Sequence, residues 1–458
     1  MFGPEGFSTW KRYPGNQQSV SPVVCSRSGC GRTRGYPLST NPGAAAPNLF
    51  PNISISYERR KAMKKSGKGR REFFEDVAKY CGAAMAAVGL VSYTKIREAG
   101  AVEDLDTPAD SNVYTMRDVQ LDQYGEFIKN APLPEGYFTK EPEEFINNMK
   151  PVNWSHHHEN WYAEGNKSLV GIVEATPLDK DLKGDIKRAM SKIGGFGKAL
   201  KKSDRILIKP NMNTGDPWPG GGTDYRFLEA LIQVLQDEGY GNLTVGDSCG
   251  PWGPTERVIK DLHLDYVCQK SGVPILDFDK GKWMHITNQN AEYLGRFGGG
   301  DGTVGYVEAL RNFDKIIYQP IMKTHFLGHI TMSLKLSVGI LHRADRGGSL
   351  HAFNHIFTGP QAAEINIPIK PDLVVMDGRR SFIAGGPSHG QEVKPGFIVV
   401  SGDQVANDVV GIKILQEWYP LIQNKITMDA WQVNQIAQAV KVGAGYAKGP
   451  DDVKMVFL

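Results

Sequence analysis

Residues 314–325 read DKIIYQPIMKTH, and this run decides the fold. Ile316, Ile317, Tyr318, Ile321 and Met322 form a short apolar run that closes on a polar corner, Lys323-Thr324-His325. A brief apolar run without polar alternation is the pattern of a strand buried on both faces, as in a parallel sheet. The pattern recurs in LVGIVEA (169–175), RILIKPN (205–211), LTVGDS (243–248), VPILDFD (273–279), DLVVMDG (372–378) and FIVVSGD (397–403). Stretches of helical length lie between them, over 181–200, 223–238, 404–418 and 429–442. Strand and helix patterns in alternation predict an α/β fold, a mostly parallel sheet or sheets with helices on both faces, as two lobes around a cleft.

Polar residues gather where these strands end: Lys209 and Asn211, Asp247, Lys323 and His325, Asp377. Open α/β sheets place their ligands outside the carboxyl ends of the strands, so these residues are pooled into one site. The stretch from Lys323 to His355 is the densest part of it. It holds His325, His329, His342, His351 and His355 among Lys323, Lys335, Arg343 and Arg346. Imidazoles bind metals or move protons near neutral pH, and the cations suit an anionic ligand. His325 and His329 are four residues apart, as are His351 and His355, and each pair can share a metal if helical. Thr331, Ser333 and Lys335 alternate with apolar residues, which also permits a strand. Lys209, Asn211, Lys323, Lys335 and Arg343 are the expected ligand-binding residues. His325 and His351 are the expected catalytic or metal-binding imidazoles, with Asp247 or Asp377 as base or orienting carboxylate. Cys249, two residues past Asp247, is either a soft ligand or nucleophile or a structural thiol.

Composition bounds the rest. A chain of 458 residues with 40% hydrophobic and 22% charged residues has the makeup of a globular protein with a sizeable core. Residues 1–80 carry fourteen Lys or Arg against five acids, although the whole chain is only +3. Residues 1–68, rich in Gly, Pro, Ser and Arg, read as a disordered basic head. Residues 69–101 join Arg70-Arg71, Phe73-Phe74, the apolar run 81–91 and Ala99-Gly100-Ala101. That is either a twin-arginine export signal or an amphipathic helix packed on the body. Residues 102–168 read as a connector, and 169–458 as the folded body. Within the connector, Trp154-Ser155-His156-His157-His158-Glu159-Asn160-Trp161 reads as an exposed loop in which at most two histidines share a metal. Cys25, Cys30, Cys81, Cys249 and Cys268 lack cluster spacing, so no iron–sulfur cluster is expected within the chain. Few aromatics interleave the arginines of the head, so nucleic acid is not an expected partner. There is no G-x-S-x-G, HExxH or Walker A segment, which disfavours hydrolases built on those devices.

Seven pieces in order carry a family resemblance: ILIKPNMN (206–213), NLTVGDSCG (242–250), DKIIYQPIMKTHFLGHITMSLKLSVGI (314–340), HRADR (342–346) with His351, PDLVVMDG (371–378), GGPSHG (385–390) and VVSGDQVANDVVG (399–411). Over 169–445 the chain resembles domain-of-unknown-function family 362, as an exported member without the ferredoxin-like module some members carry. The resemblance implies an α/β fold and a shared polar site. Leu336 stands where the family often has Asn after the lysine. The order of the pieces is also similar to the N-terminal half of lactate racemase, where histidines and basic residues serve a nickel-pincer cofactor. That analogy implies a transition metal or an organometallic cofactor.

Two functions from different classes follow. One is an exported enzyme, an isomerase or redox enzyme, whose His/Lys/Asp-lined site binds a small anionic molecule, metal or organometallic cofactor. The other is a non-catalytic subunit of a cell-envelope redox complex, docked on membrane-associated redox subunits. The expected location is the cell envelope or a periplasm-like space, or the cytoplasm if the signal does not function.

Overall fold

The computed structural model describes residues 150–215, 220–250, 254–295, 302–346, 358–416 and 428–457. Its strands are β1 (Ala163–Glu164), β2 (Lys167–Glu174), β3 (Ile206–Lys209), β4 (Leu243–Asp247), β5 (Ile275–Asp277), β6 (Trp283–Thr287), β7 (Thr303–Val307), β8 (Lys315–Tyr318), β9 (Lys323–His325), β10 (His329–Thr331), β11 (Leu373–Gly378), β12 (Ser381–Gly385), β13 (Gly390–Val393), β14 (Phe397–Ser401) and β15 (Val453–Phe457). Nine of these strands form one sheet in the order β1-β2-β14-β11-β8-β3-β4-β5, with β15 beside β2. β11, β8, β3, β4 and β5 are mutually parallel, whereas β14 runs antiparallel between β11 and β2. Three antiparallel ribbons, β6–β7, β9–β10 and β12–β13, lie off the sheet.

The central strands read as unbroken apolar runs because both of their faces are covered. Along β3, β8 and β11, successive side chains enter two different cores. Leu207, Ile316, Tyr318, Val374 and Met376 join one, and Ile206, Ile208, Ile317, Leu373 and Val375 join the other. Helices α1 (Leu182–Ile193), α2 (Tyr225–Asp237), α3 (Thr255–Asp261) and α4 (Leu264–Ser271) bury their apolar stripes in the second core. The short α5 (Ser333–Leu336), α6 (Thr358–Glu364), α7 (Gln404–Gln416) and α8 (Asn434–Val442) fill the first. Each fully buried Leu, Ile or Val contributes about 1.5–3 kcal/mol, so this two-sided burial is the main source of cohesion.

Local chemistry sets the boundaries. α1 is shorter than the 181–200 pattern because Gly194 adopts φ +103°, and it and Gly195 turn their N–H groups back onto Ser191 and Met190. A left-handed glycine closes a helix this way without a Cβ penalty. The Thr331–Lys335 alternation does not continue as a strand, since β10 ends at Thr331 and α5 begins at Ser333. The packed residues also reach upstream of 169, where Tyr162 is fully buried. The glycine run 298–301 and the head and signal-like segment lie outside the described residues.

The sheet topology locates a crevice. The chain builds outward from β3 through β4 to β5, then returns to lay β8 on the other side of β3 and β11 beyond it. The strand order therefore reverses between β3 and β8, where the connections leave in opposite directions and open a groove at the carboxyl ends.

Packing between α1 and the sheet is close at Gly171, where an added Cβ would lie 2.8 Å from Ala189 O and 2.9 Å from Val400 Cγ2. Gly171→Ala is expected to destabilise the fold by about 1–3 kcal/mol in urea unfolding. Gly241→Ala, which meets nothing within 4 Å, is expected to stay within about 0.5 kcal/mol of wild type. Equal effects at the two positions would contradict this packing.

Candidate functional site

At the reversal point, Lys209 closes β3 and Asp247 closes β4. Both are buried, with the Lys209 Nζ to Asp247 Oδ1 distance 2.6 Å. Asp247 also accepts the backbone N–H groups of Met212 (3.0 Å) and Ser248 (2.8 Å). Burial lowers the lysine pKa and raises that of the aspartate, each opposed by attraction to the other. The short contact and the two amide donors favour the charged pair, which is how a buried carboxylate is kept ionised.

The cover of this pair is Gly339. A Cβ there would fall 2.0 Å from Asp247 Oδ1 and 2.9 Å from Lys209 Nζ. Ser248 Oγ donates to the Gly339 carbonyl. The covering segment 333–340 is fixed from below. Asp408 on α7 accepts the Ser333 and Leu334 N–H groups at 2.8 and 2.9 Å. Asn366 accepts from Ser337 Oγ at 2.6 Å and donates to the Leu334 carbonyl at 2.9 Å. The Tyr318 hydroxyl meets Ser337 Oγ at 2.8 Å. Burial pushes the Asp408 carboxyl up to about 7. These supports were not read as site residues from the sequence, where Asp408 falls in the helical stretch 404–418 and Asn366 in no element.

The basic HRADR segment is tied to the same end of β4. Arg343 and Arg346 both bind Asp279, Arg346 at 3.0 Å, and Arg346 also donates to the Cys249 carbonyl. Thr255 Oγ1 donates to Asp279 at 2.6 Å and accepts the Cys249 N–H at 2.8 Å. Cys249 is buried and its pKa is pushed up to about 11, so it is a thiol at neutral pH and a poor nucleophile or soft ligand.

The other half of the site rests on the β9–β10 ribbon, in which His325 and His329 are directly opposed. His325 Nδ1 accepts the N–H groups of Leu327 and Gly328, both at 3.1 Å. A neutral imidazole accepts at one nitrogen only, so its proton sits on Nε2. That tautomer makes His325 a hydrogen-bond or proton donor and does not fit Nε2 ligation of a metal. Lys323, fully buried on the same ribbon, donates to the carbonyls of Gly221 and Pro387, each at 2.7 Å. The glycine loop before α2 thus turns its Gly221 carbonyl toward the Lys323 amine, while Asp224 caps α2. Burial and the neighbouring Lys335 hold the Lys323 pKa well below its ordinary value. Burial brings Lys335 down to about 8. The GGPSHG segment closes on the ribbon, since a Cβ at Gly386 would meet Thr324 O at 2.1 Å. Asn213 Nδ2 reaches Ser388 Oγ on that segment at 3.0 Å.

Of the pooled residues, the structure thus joins Lys209 with Asp247 and Lys323 with Lys335. Asn211 is engaged locally, its N–H and C=O zipped to Thr223 and its side chain to Asn213 N. Asp377 is committed to Arg379 through two contacts of 2.8 and 2.9 Å, and Arg379 also binds Asp179 and Asp224. His351 and His355 lie outside the described residues. Among the described residues one His/Asp cluster with metal-ligand spacing occurs, His156, His158 and Asp372, at the opposite end of the sheet. The tryptophan- and histidine-rich segment is therefore half-buried and pinned to the body, where the sequence reads as an exposed loop. Among the described residues, no helix is long and apolar enough to cross a membrane.

Comparison with known families, proteins and solved structures gives the following likenesses. Residues 206–413 match the family model described as "Domain of unknown function (DUF362)", a span that takes in both halves of the site. A thylakoid-associated protein of Synechocystis sp. is 28% identical over 241 residues, which is 50% of this chain and 69% of that protein. Among solved structures, the lactate racemase apoprotein of Thermoanaerobacterium thermosaccharolyticum aligns with a TM-score of 0.24 at 9% identity. That alignment covers 55% of this chain and 59% of the other, less than two thirds of its length.

Removing one partner of the Lys209–Asp247 pair leaves a buried charge uncompensated. Lys209→Met and Asp247→Asn are each expected to cost about 3–5 kcal/mol, and the double variant less than their sum. Denaturant unfolding of all four proteins measures this; strictly additive costs would show that the two groups are uncoupled.

Proposed function

We propose that the crevice between β3 and β8 binds a small anionic molecule, carboxylated or otherwise oxyanionic, and that the protein is an isomerase or redox enzyme acting on it. The observation that carries this is Lys323. It is fully buried, held by two carbonyl oxygens, has no carboxylate partner among the described residues, and is pushed further from its charged form by Lys335. A buried ammonium without a counter-charge is costly, and an entering anion supplies the missing charge. Lys335 is the second cation for the same ligand. His325, with its proton on Nε2, is the donor that hydrogen-bonds the anion or passes a proton to it. Lys209–Asp247 sets the floor of the groove, and Arg343 with Arg346 sets its basic rim. The twin-arginine-like segment at 69–101 belongs to this reading as the export signal.

A second reading is favoured by the thylakoid association of the relative. In it the chain is a non-catalytic subunit attached to a membrane redox complex. Stoichiometric redox subunits retained with the full chain after native purification from membranes would support it, and a free chain that binds a small anion would oppose it.

Calorimetric titration of the full chain with oxalate and with inorganic phosphate tests the first reading. At least one probe is expected to bind, with Lys323→Met weakening it tenfold or more, about 1.4 kcal/mol. The pH dependence has a definite sign. Lys335 is charged below its pKa of about 8, so affinity is held below that pH and falls as pH rises through it. The bound anion favours the charged form and moves the fall upward. Binding that is indifferent to both Lys323→Met and this pH range would overturn the assignment.

A further inference from the structure

The opposite end of the sheet carries a second cluster. Residues 154–161 run alongside 367–370, with His156 N donating to Pro368 O and Lys370 N to His156 O, and His156 bridged in parallel to Ile369. In an extended segment alternate residues share a side. His156 and His158 therefore both meet Asp372, at the entrance to β11, while His157 turns to the Ile367 carbonyl. His156 Nε2 is 2.7 Å from Asp372 Oδ2, and His158 Nε2 is 3.6 Å from Oδ1.

His158 is the informative residue. Its Nδ1 faces the Glu159 carbonyl at 2.7 Å, and its Nε2 faces the Lys370 carbonyl at 3.0 Å. Carbonyl oxygens only accept, and a neutral imidazole has one N–H to give. With Nδ1–H donated to Glu159, the Nε2 lone pair points at two oxygens, Lys370 O and Asp372 Oδ1. Lys315 Nζ, 2.9 Å from Asp372 Oδ1, already meets the carboxylate, but in this tautomer the Nε2 lone pair still faces the Lys370 carbonyl at 3.0 Å, and a metal ion between them turns that repulsion into ligation.

We propose that His156 Nε2, His158 Nε2, Asp372 and the Lys370 carbonyl bind a divalent first-row transition metal such as Zn²⁺ or Co²⁺. The three side chains place one ligand atom each within 4.8 Å of one another. Ligands about 2.0–2.2 Å from a tetrahedral ion sit roughly 3.3–3.6 Å apart, within the range that small side-chain shifts reach here. The surroundings match what such ligands use. Nδ1–H of His158 is fixed by the Glu159 carbonyl, and the Tyr446 hydroxyl lies 3.1 Å from Nδ1 while donating to His158 O. A carbonyl behind the imidazole fixes the tautomer that leaves Nε2 free to ligate. The remaining contacts of Asp372 are the Ile316 N–H (2.9 Å), Lys315 Nζ (2.9 Å) and Trp161 Nε1 (3.3 Å). They fix both oxygens of the carboxylate, Ile316 at Oδ2 and Lys315 with Trp161 at Oδ1, and Lys315 is held in turn by the Trp161 ring, 4.4 Å from its centroid. His156 is 15% exposed and is the side from which an ion enters. Its ligands lie on the 154–161 segment and just before β11, at the amino ends of the parallel strands, so this site is separate from the anion crevice proposed at their carboxyl ends.

Titration of metal-stripped full chain with Co²⁺, followed by its visible ligand-field absorption, tests the site. One saturable equivalent is expected in wild type and in His157→Ala and His325→Ala. His156→Ala and His158→Ala are each expected to weaken it tenfold or more. Thermal unfolding, with and without Co²⁺, separates lost ligation from lost folding: the ion should raise the wild-type midpoint and leave a folded His158→Ala unchanged. No saturable equivalent in wild type would overturn the site. A signal that survives both histidine substitutions, or that disappears in His325→Ala, would also overturn it.

Discussion

A single buried ion pair organises the functional end of this protein. Lys209 and Asp247 end adjacent parallel strands, so the register that pairs β3 with β4 also brings an ammonium and a carboxylate to 2.6 Å. Neither charge is tolerable alone in that position. Their joint presence forces the loops after Lys209 and Asp247 to donate the Met212 and Ser248 backbone N–H groups and forces the covering segment to present a residue without a Cβ, Gly339. The cover is then held by Asp408 on α7 and Asn366 in the turn after α6. One polar contact thus propagates outward through a chain of dependent ones. A change at α7, far along the sequence, is felt at the end of β3.

The two ends of the sheet solve the same electrostatic problem differently. At the carboxyl ends, Lys323 rests on two carbonyls with Lys335 close by. At the amino ends, Asp372 draws in Lys315, Trp161, His156 and His158, and against the opposing effect of burial His156, His158 and Lys315 hold its pKa down to about 2. We propose an anion for the first arrangement and a cation for the second. Both follow from a sheet whose faces are fully apolar, which leaves polar groups only the strand ends to occupy.

Much of the architecture was legible. The runs at 206–209, 315–318 and 373–378 lack alternation because both faces are buried, and that pattern is visible in one dimension. The residues Lys209, Asp247 and Lys323 were legible as strand-end polar groups for the same reason. Their partners were not. Nothing in the spacing says that Asp247 takes Lys209, that Asp377 takes Arg379, or that Lys323 takes carbonyls from 221 and 387. The histidine segment at 156–158 misled because polar, aromatic-rich sequence usually marks an exposed loop, and its partner Asp372 lies 216 residues away.

What the sequence determined alone is the set of elements and the chemistry each could offer: apolar strands, amphipathic helices, and Lys, His and Asp at strand ends. These depend on local periodicity and composition, which the chain carries in its own order. The tertiary structure decided which of those groups meet. Pairing distances depend on sheet order and register, and the reversal between β3 and β8 is a property of how the chain returns on itself. For the same reason the tautomer of His325, the acidity of Lys335 and the joint presence of His156, His158 and Asp372 became definite only when distant segments packed. Each is set by burial and by neighbours that are remote in sequence.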